Sequence, residues 1–241
     1  MSIFKNQVAV ITGASSGIGS AIAIALANQG AKLCLIGRNL EKLQEVSFLT
    51  HKKSPQVSTY PLDITQDEDI KTLKTQIEQE FGEIDLLIHS AGTISFGEIK
   101  TTPVEELDRQ YRTNVRSPYL LTQTFLPSLI KQQGQIVFIN SSAIFSVKAG
   151  AGQYAASKQA LKAIADSLRA EVNALGIRVV SIYPGRTASP MQAKIYEIEG
   201  REYKPELLLQ AEDVADAVVS ALSLPRTAEV TDINIRPFLK S

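Results

Sequence analysis

Segments typical of strands and of helices alternate along the whole chain, and this alternation is the strongest constraint on its fold. Short runs rich in branched apolar residues predict seven strands, and the stretches between them have helical spacing. Such alternation is typical of parallel strands joined by crossover helices. The predicted strands are residues 8–11, 33–36, 57–60, 84–89, 136–139, 179–183 and 230–235. We therefore expect an α/β fold with a doubly wound, parallel, seven-stranded sheet and helices on both faces.

Length and composition fit one unit of this kind, so we treat residues 1–241 as a single domain. The 25 basic and 25 acidic residues balance, which disfavours a nucleic-acid partner. No apolar run approaches the length of a membrane span, and the first residues lack a signal-peptide pattern. The single cysteine, Cys34, lies in a predicted strand and is interpreted as a core residue. We expect a reducing, cytoplasmic location, no membrane partner and no bound metal.

Two helices carry start signals in the sequence. Thr65, followed three residues later by Glu68, forms a capping box. Thr102 and Glu105 form a second one, with Pro103 at the predicted first helical position. These signals predict helices that begin directly after Thr65 and Thr102.

A glycine-rich turn, TGASSGIG at residues 12–19, follows the first strand and opens an apolar helix. Gly13 allows a tight turn, Gly17 brings backbone N–H groups close to a pyrophosphate, and Gly19 lets helix and strand pack closely. The spacing differs from the common dinucleotide fingerprint. The turn is either the phosphate site of a dinucleotide or a merely structural turn, and its place between strand and helix favours the phosphate site.

Tyr154 and Lys158 form a second candidate site, within residues 140–158. They lie four residues apart in a predicted helix and so share one face of it. A free tyrosine has a pKa of about 10, and a nearby ammonium group lowers that pKa toward the range useful for proton transfer. The alternative is a half-buried tyrosine beside a solvated lysine.

The chain resembles the short-chain dehydrogenases/reductases, in their single-domain branch with a Rossmann fold. The resemblance rests on the glycine turn, Asp63, the sequence His89-Ser90-Ala91-Gly92, Asn114, Ser141, the sequence YAASK at residues 154–158, and Pro184-Gly185 with Thr187. It covers essentially the whole chain and implies an NAD(P)-binding enzyme. One departure is His89, where family members usually have asparagine. His89 is either a core residue that holds neighbouring backbone, which we prefer, or an extra acid or base.

The resemblance also implies roles for individual residues. Tyr154 transfers the proton, Lys158 lowers its pKa and holds the nicotinamide ribose, and Asn114 links Lys158 to solvent through water. Ser141, thirteen residues before Tyr154, is preferred over Ser142 as the hydroxyl that binds the substrate carbonyl. Asp63 and the Ile64 amide contact the adenine, although Asp63 is also a candidate helix cap. The implied cofactor-binding residues are Gly13, Ser15, Ser16, Gly17, Ile18, Gly19, Arg38, Asp63, Ile64, Ala91, Gly92, Asn114, Tyr154, Lys158, Pro184, Gly185 and Thr187.

The end of the second strand indicates which cofactor is preferred. An acidic residue there would bind the ribose hydroxyls of NAD and repel a 2′-phosphate, but this chain has Gly37 and Arg38. Arg38 can pair with a phosphate through two hydrogen bonds, so NADP (NADPH) is predicted over NAD. Alternatively, Arg38 only caps the next helix or meets Glu41 in solvent.

The predicted substrate is a small carbonyl compound or alcohol, largely apolar. Residues 186–209 hold several apolar side chains where relatives carry a substrate lid, although these side chains could equally pack on the core. The uncharged Phe96, Ile144, Phe145 and Gln153 are also expected to line the cleft. By analogy with relatives we expect a homodimer or homotetramer built on helices near residues 103–131 and 153–175. The alternative function is an NADP(H)-binding regulatory or structural protein with little turnover.

Overall fold

A computed structural model describes residues 2–238 of the chain. Seven parallel strands form one sheet in the order β3-β2-β1-β4-β5-β6-β7. This order is that of a doubly wound Rossmann sheet, so the predicted fold class is confirmed. The strands are β1 (Val8–Thr12), β2 (Lys32–Gly37), β3 (Val57–Pro61), β4 (Leu86–His89), β5 (Gln135–Ile139), β6 (Arg178–Pro184) and β7 (Asp232–Ile235).

The helices lie between the strands, as the alternating pattern predicts. They are α1 (Gly17–Asn28), α2 (Leu40–Thr50), α3 (Asp67–Phe81), α4 (Val104–Tyr111), α5 (Ser117–Gln132), α6 (Gly152–Val172), α7 (Pro190–Ile198) and α8 (Ala211–Leu222). A π-helical segment, Arg112–Arg116, joins α4 to α5. Within residues 2–238, no helix is long and apolar enough to span a membrane.

Alternate residues of each strand enter two separate hydrophobic cores, one on each face of the sheet. In β1, Ala9 and Ile11 contribute to the core under α1, α2 and α8. Val8 and Val10 contribute to the opposite core, under α3, α5 and α6. Because both faces are covered, the inner strands are apolar along their whole length, which explains the branched runs in the sequence.

Two strands are shorter than predicted. β4 begins at Leu86 rather than at residue 84, because the Ile84 backbone N–H donates to the Ser128 hydroxyl at 2.7 Å instead of to a neighbouring strand. β7 begins at Asp232 rather than at residue 230. The remaining strand boundaries agree with the prediction to within one residue.

Both predicted capping boxes are wrong. Asp63 accepts the Thr65 N–H at 2.9 Å and closes a turn at this point. α3 therefore begins at Asp67, two residues after Thr65. The Thr102 hydroxyl donates to the Glu98 carbonyl at 2.8 Å and does not cap α4. In each case a local side-chain bond competes with the cap that the sequence suggests.

β1 and β4 are neighbours in the sheet although two strands separate them along the chain. The crossovers from β1 run toward one edge of the sheet and those from β4 toward the other. The crossovers that follow β1 and β4 therefore diverge and leave a crevice at the carboxyl ends of the strands, where open sheets of this kind bind ligands.

His89 lies buried at the end of β4. Its Nε2 atom is 2.9 Å from the Thr122 hydroxyl, and its ring stacks on Phe138 with 4.8 Å between centroids. Burial lowers the pKa of His89 to about 3, so the ring is neutral at physiological pH. This environment favours the core interpretation of His89, although its partner is a side chain rather than backbone.

The buried His89 predicts an acid sensitivity of the fold. Its pKa lies below that of an unfolded histidine, about 6.5, so only the unfolded chain takes up a proton between these values. The free energy of unfolding should then fall as pH drops from 6.5, by about 1.4 kcal/mol per pH unit. Denaturant unfolding at pH 6.5 and pH 5 measures this slope, and His89→Asn should reduce the loss by about 2 kcal/mol. His51→Asn, at the exposed histidine, is the control, and equal slopes in all three proteins would contradict the prediction.

Candidate active site

The glycine turn after β1 lies directly against the loop after β4. Gly13 has a φ of +68°, and a Cβ atom placed on it would lie 2.8 Å from the Cα atom of Ala91. A Cβ atom on Gly19 would lie 2.3 Å from the Gly13 carbonyl oxygen, so α1 could not pack this closely with any larger residue there. The Thr12 hydroxyl also accepts the Ser90 and Ala91 N–H groups at 3.1 and 3.2 Å. The two loops therefore form one rigid edge of the crevice.

The N-terminus of α1 has the properties of a phosphate site. Ser16, at the N-cap position, forms no capping hydrogen bond through its side chain, and the first turn contains no acidic residue. The first N–H groups of the helix are thus without a side-chain acceptor, and the helix dipole favours an anion there. These features fit the pyrophosphate of a dinucleotide.

The end of β2 presents Arg38 to solvent. Within the described part of the chain, Arg38 forms no side-chain hydrogen bond or ion pair. The cap of α2 is instead Asn39, which accepts the Lys42 N–H at 2.9 Å. The Ser15 hydroxyl lies close to Gly37, 3.2 Å from a Cβ atom placed there. A guanidinium and a hydroxyl are thus both available near this strand end.

The loop after β3 contains Asp63 and Ile64. One Asp63 carboxylate oxygen accepts the Thr65 N–H and closes a turn before α3. Asp63 does not cap the helix, because the N-cap position of α3 is Gln66. Ile64 is buried and packs in the core on the α3 side of the sheet.

Asn114 lies buried at the centre of the π-helical segment. Its side-chain oxygen accepts the Thr93 N–H at 2.8 Å, and its Nδ2 atom donates to the Thr93 carbonyl at 2.9 Å. Nδ2 also donates to the Ser157 hydroxyl at 3.0 Å. π-Helical turns are rare and frequently occur at functional sites. Asn114 thus ties the loop after β4 to α6, the helix that carries Tyr154 and Lys158.

Lys158 is buried, and its ammonium group donates to the Ile139 carbonyl at 2.9 Å. Its Nζ atom lies 6.0 Å from the centre of the Tyr154 ring. A Cβ atom on Gly92 would lie 3.8 Å from the same Nζ atom, so Lys158 faces the loop after β4. Burial lowers the pKa of Lys158 from 10.5 to about 8.

Tyr154 differs from the sequence-based expectation in its protonation. Burial raises the pKa of its phenol above 10.0, and a side-chain hydrogen bond with Ser141 offsets part of the rise. We expected Lys158 to lower this pKa. In the structure the effect of burial is larger than that of the ammonium, which lies 6.0 Å from the ring centre and donates to the Ile139 carbonyl. Ser141, and not Ser142, is the serine that lowers the pKa of this phenol.

Asn140 and Ser157 support this group and were missed in the sequence. Asn140 accepts the Ser141 N–H at 2.9 Å and donates to the Lys158 carbonyl at 3.1 Å. The Ser157 hydroxyl donates to the Tyr154 carbonyl at 2.7 Å. Both residues adjoin predicted site residues, but adjacency alone does not indicate which way a polar side chain points. Asn140 thus joins the end of β5 to α6, and Ser157 accepts the hydrogen bond by which Asn114 reaches α6.

The loop after β6 contains Pro184, Gly185 and Thr187. The Gly185 N–H donates to the Ile235 carbonyl at 2.7 Å, and the Thr187 hydroxyl donates to the Gly185 carbonyl at 3.0 Å. A further residue, Ser189, caps α7 and lies against the glycine turn, with its Cβ 3.3 Å from a Cβ atom placed on Gly17. The Ser-Pro pair at residues 189–190 is a helix-start signal that could have drawn attention to it.

Residues 186–209 form a closed segment that contains α7. Backbone bonds between Arg186, Ala188 and Leu209 join its two ends. Arg186 pairs with Glu199 at 2.6 Å, and its guanidinium lies 4.9 Å from the centre of the Tyr196 ring. Some apolar side chains of this segment pack on the core, and others are available to a substrate lid. Ile195 and Tyr196 are buried, whereas Met191 and Ile198 are exposed.

Comparison with known proteins identifies the family. Residues 7–200 match the short chain dehydrogenase family. An uncharacterised oxidoreductase of Staphylococcus epidermidis (strain ATCC 35984) is 36% identical over 238 residues, 98% of this chain and 100% of the relative. An uncharacterised oxidoreductase of Staphylococcus aureus (strain USA300) is 34% identical with the same coverage.

Solved structures with bound cofactors are also similar. The alcohol dehydrogenase of the archaeon Thermococcus sibiricus, complexed with 5-hydroxy-NADP, is 26% identical with a TM-score of 0.88 and covers 98% of this chain and 99% of its own. L-sorbose reductase from Gluconobacter frateurii, complexed with NADPH and L-sorbose, is 26% identical with a TM-score of 0.88, with coverage of 98% and 97%. The chain is therefore an oxidoreductase of the short-chain dehydrogenase/reductase family.

Proposed function

We propose that the protein is an NADP-dependent oxidoreductase that transfers hydride between the nicotinamide and a carbonyl compound or secondary alcohol. The observation that carries this proposal is that Tyr154, Ser141 and Lys158 lie near one another, with Lys158 facing the loop that packs against the glycine turn. A proton donor, a second hydroxyl and a phosphate site thus share one crevice.

The cofactor would be held by the residues that the family resemblance implies. The glycine turn at residues 12–19, with its free helix N-terminus, suits the pyrophosphate. Arg38 and Ser15 suit a 2′-phosphate, and Asp63 with the Ile64 amide suits the adenine. The loop with Ala91-Gly92 suits the adenosine ribose, and the loop with Pro184, Gly185 and Thr187 suits the nicotinamide half. The bound nicotinamide supplies or accepts the hydride.

The protein's own residues handle the proton. Because burial raises its pKa, Tyr154 remains protonated at neutral pH and can donate to the oxygen of a carbonyl that is being reduced. Ser141 donates a hydrogen bond to the same oxygen and fixes its position. As negative charge forms on the phenol, the ammonium of Lys158 stabilises it electrostatically. Asn114 holds the loop that borders Lys158 and is the proposed link to solvent.

Tyr154→Phe tests the proton donor. Turnover should fall at least about 100-fold, because the variant loses general acid catalysis while its ring still packs. Binding of NADPH, followed by fluorescence titration, should be unchanged. Lys158→Met should weaken both turnover and NADPH binding, whereas Lys162→Met, one turn further along α6, should affect neither.

A panel of ketones, aldehydes and alcohols assayed by NADPH absorbance provides the substrate for this test. Undiminished turnover by Tyr154→Phe would refute its role. A wild-type protein that binds NADPH and turns over no compound of the panel would instead favour the regulatory or structural alternative.

The preference for NADP is part of the proposal and rests on Arg38. Its side chain is exposed near the end of β2, and the structurally similar L-sorbose reductase is described with NADPH. Arg38→Gln should raise the KM for NADPH about tenfold or more and leave that for NADH unchanged, because only NADPH carries the 2′-phosphate. Lys42→Gln, which removes a nearby exposed cation on α2, is the matched control. Equal KM values of the wild-type protein for NADPH and NADH would contradict the assignment.

The substrate is proposed to be a largely apolar carbonyl compound or alcohol, with residues 186–209 as its lid. Phe145 and Met191 support this proposal, since both are large apolar side chains with substantial exposure, on the loop after β5 and on α7. A cytoplasmic location is proposed with it.

Assembly as a homodimer or homotetramer is a further part of the proposal. Val104, Tyr111 and Tyr119 are exposed on the helices that relatives use for assembly, at 61%, 47% and 49%. Light scattering at micromolar concentration should give the mass of two or four chains. Tyr119→Glu should shift the mass toward one chain, because a buried charge opposes association. A wild-type monomer would exclude this assembly.

A further inference from the structure

The loop after β4, residues 90–98, contains no helix or strand. Its first part borders Lys158 through Gly92. At its far end, the Gly97 N–H donates to the Gly150 carbonyl at 2.8 Å, and Gln153 donates to the Gly97 carbonyl at 3.4 Å. The loop therefore meets α6 on both sides of Tyr154, at Gln153 and at Lys158. A loop in this position can form a wall of the proposed substrate site.

Two amide side chains hold the loop to the helical run formed by α4, the π-helical segment and α5. Asn114 pairs with both backbone groups of Thr93. Gln110, four residues earlier, accepts the Ser95 N–H at 3.1 Å and donates to the Ser95 hydroxyl at 2.7 Å. Helical side chains thus position this loop, which forms no helix or strand, at Thr93 and at Ser95.

Gln110 is fully buried, at 0% exposure, whereas the other residues of α4 are exposed or half-buried. Its remaining N–H donates to the Glu106 carbonyl at 3.2 Å, so the whole amide is satisfied. A buried amide is costly unless all its hydrogen bonds form, and a satisfied one strongly prefers a single geometry. Such a group is suited to fix the position of Ser95.

We propose that Gln110 is a positioning residue that sets the substrate wall opposite Tyr154. The proposal rests on the proposed function, because it concerns how the same site binds its carbonyl substrate. The part of the loop nearest the proposed cofactor site, at Ala91, is held separately by Thr12. Gln110 should therefore govern the KM for the carbonyl compound and leave NADPH binding unchanged.

Two substitutions test this role. Gln110→Met keeps the length of the side chain and removes all its hydrogen bonds, so the KM for the carbonyl compound should rise about tenfold with a smaller change in kcat. Gln110→Glu offers a pH-dependent rescue. A protonated carboxyl group accepts the Ser95 N–H and donates to its hydroxyl, as the amide does, whereas a carboxylate cannot donate.

Burial should raise the pKa of a glutamic acid at position 110 toward neutrality. The ratio of KM between Gln110→Glu and the wild-type protein should therefore fall toward one as pH is lowered from 8 to 6. Ser128→Ala is the matched control. It removes a buried bond from the same helical run to the Ile84 N–H, before β4, so it should reduce stability without changing KM.

Hydrogen exchange of the Thr93 and Ser95 amides provides a measurement that needs no activity. In the Gln110→Met variant the Ser95 amide should exchange at least about tenfold faster than in the wild-type protein. In the Ser128→Ala variant the same amide should exchange at the wild-type rate. Wild-type KM values or unchanged Ser95 exchange in folded Gln110 variants would overturn the proposal. An inactive wild-type protein would refute the proposed function alone, and exchange would still decide the role of Gln110.

Discussion

The close contact between the Gly13 turn and the backbone of Ala91 is the constraint on which the crevice depends. It brings the loops after β1 and β4 together at the one place in the sheet where successive crossovers diverge. A side chain at Gly13 would collide with backbone, which cannot rotate out of the way. Thr12 reinforces the contact by accepting two N–H groups from the partner loop. The proposed phosphate site and the proposed adenosine-ribose site are thus both built on this pair of loops.

Buried amide side chains connect these loops and the end of β5 to α6, the proposed catalytic helix. Asn114 reaches from the π-helical segment to Thr93 and Ser157, and Asn140 reaches from the end of β5 to the backbone of Lys158. Each of these bonds joins two elements that are distant in sequence. Satisfied polar groups in a low-dielectric interior have one favoured arrangement, so they fix direction as well as distance. This scaffold holds the segment that carries Ser141 against the helix that carries Tyr154.

Periodicity and motif spacing predicted the fold and the position of the site because both depend on patterns that are local in sequence. The strands follow from branched apolar runs, and the pairing of Tyr154 with Lys158 follows from helical geometry. The roles of Asn140, Gln110 and Ser189 could not be predicted in the same way, since their partners are set by tertiary packing. The protonation of Tyr154 was misjudged for a related reason. Its pKa depends on burial, which a sequence does not specify, more than on the neighbouring charge.

The starts of α3 and α4 also depend on structure that a local sequence pattern does not specify. Thr65 and Thr102 have suitable neighbours for capping, yet Asp63 and the Glu98 carbonyl capture the local hydrogen bonds first. Short-range competition of this kind is decided by a few tenths of an ångström in the loop, which composition does not encode.

The pairing of β1 with β4 also has a consequence for how the molecule assembles. The hydrogen bond from Thr12 to the Ile88 carbonyl joins residues 76 positions apart, and the turn at Gly13 is complete only when that pairing exists. Contacts so distant in sequence form late, because the entropy of closing a long loop must first be overcome. During synthesis, the turn at Gly13 can therefore reach its final structure only after β4 has emerged. Until then one edge of β1 lacks its partner strand, and unpaired apolar strand edges favour aggregation.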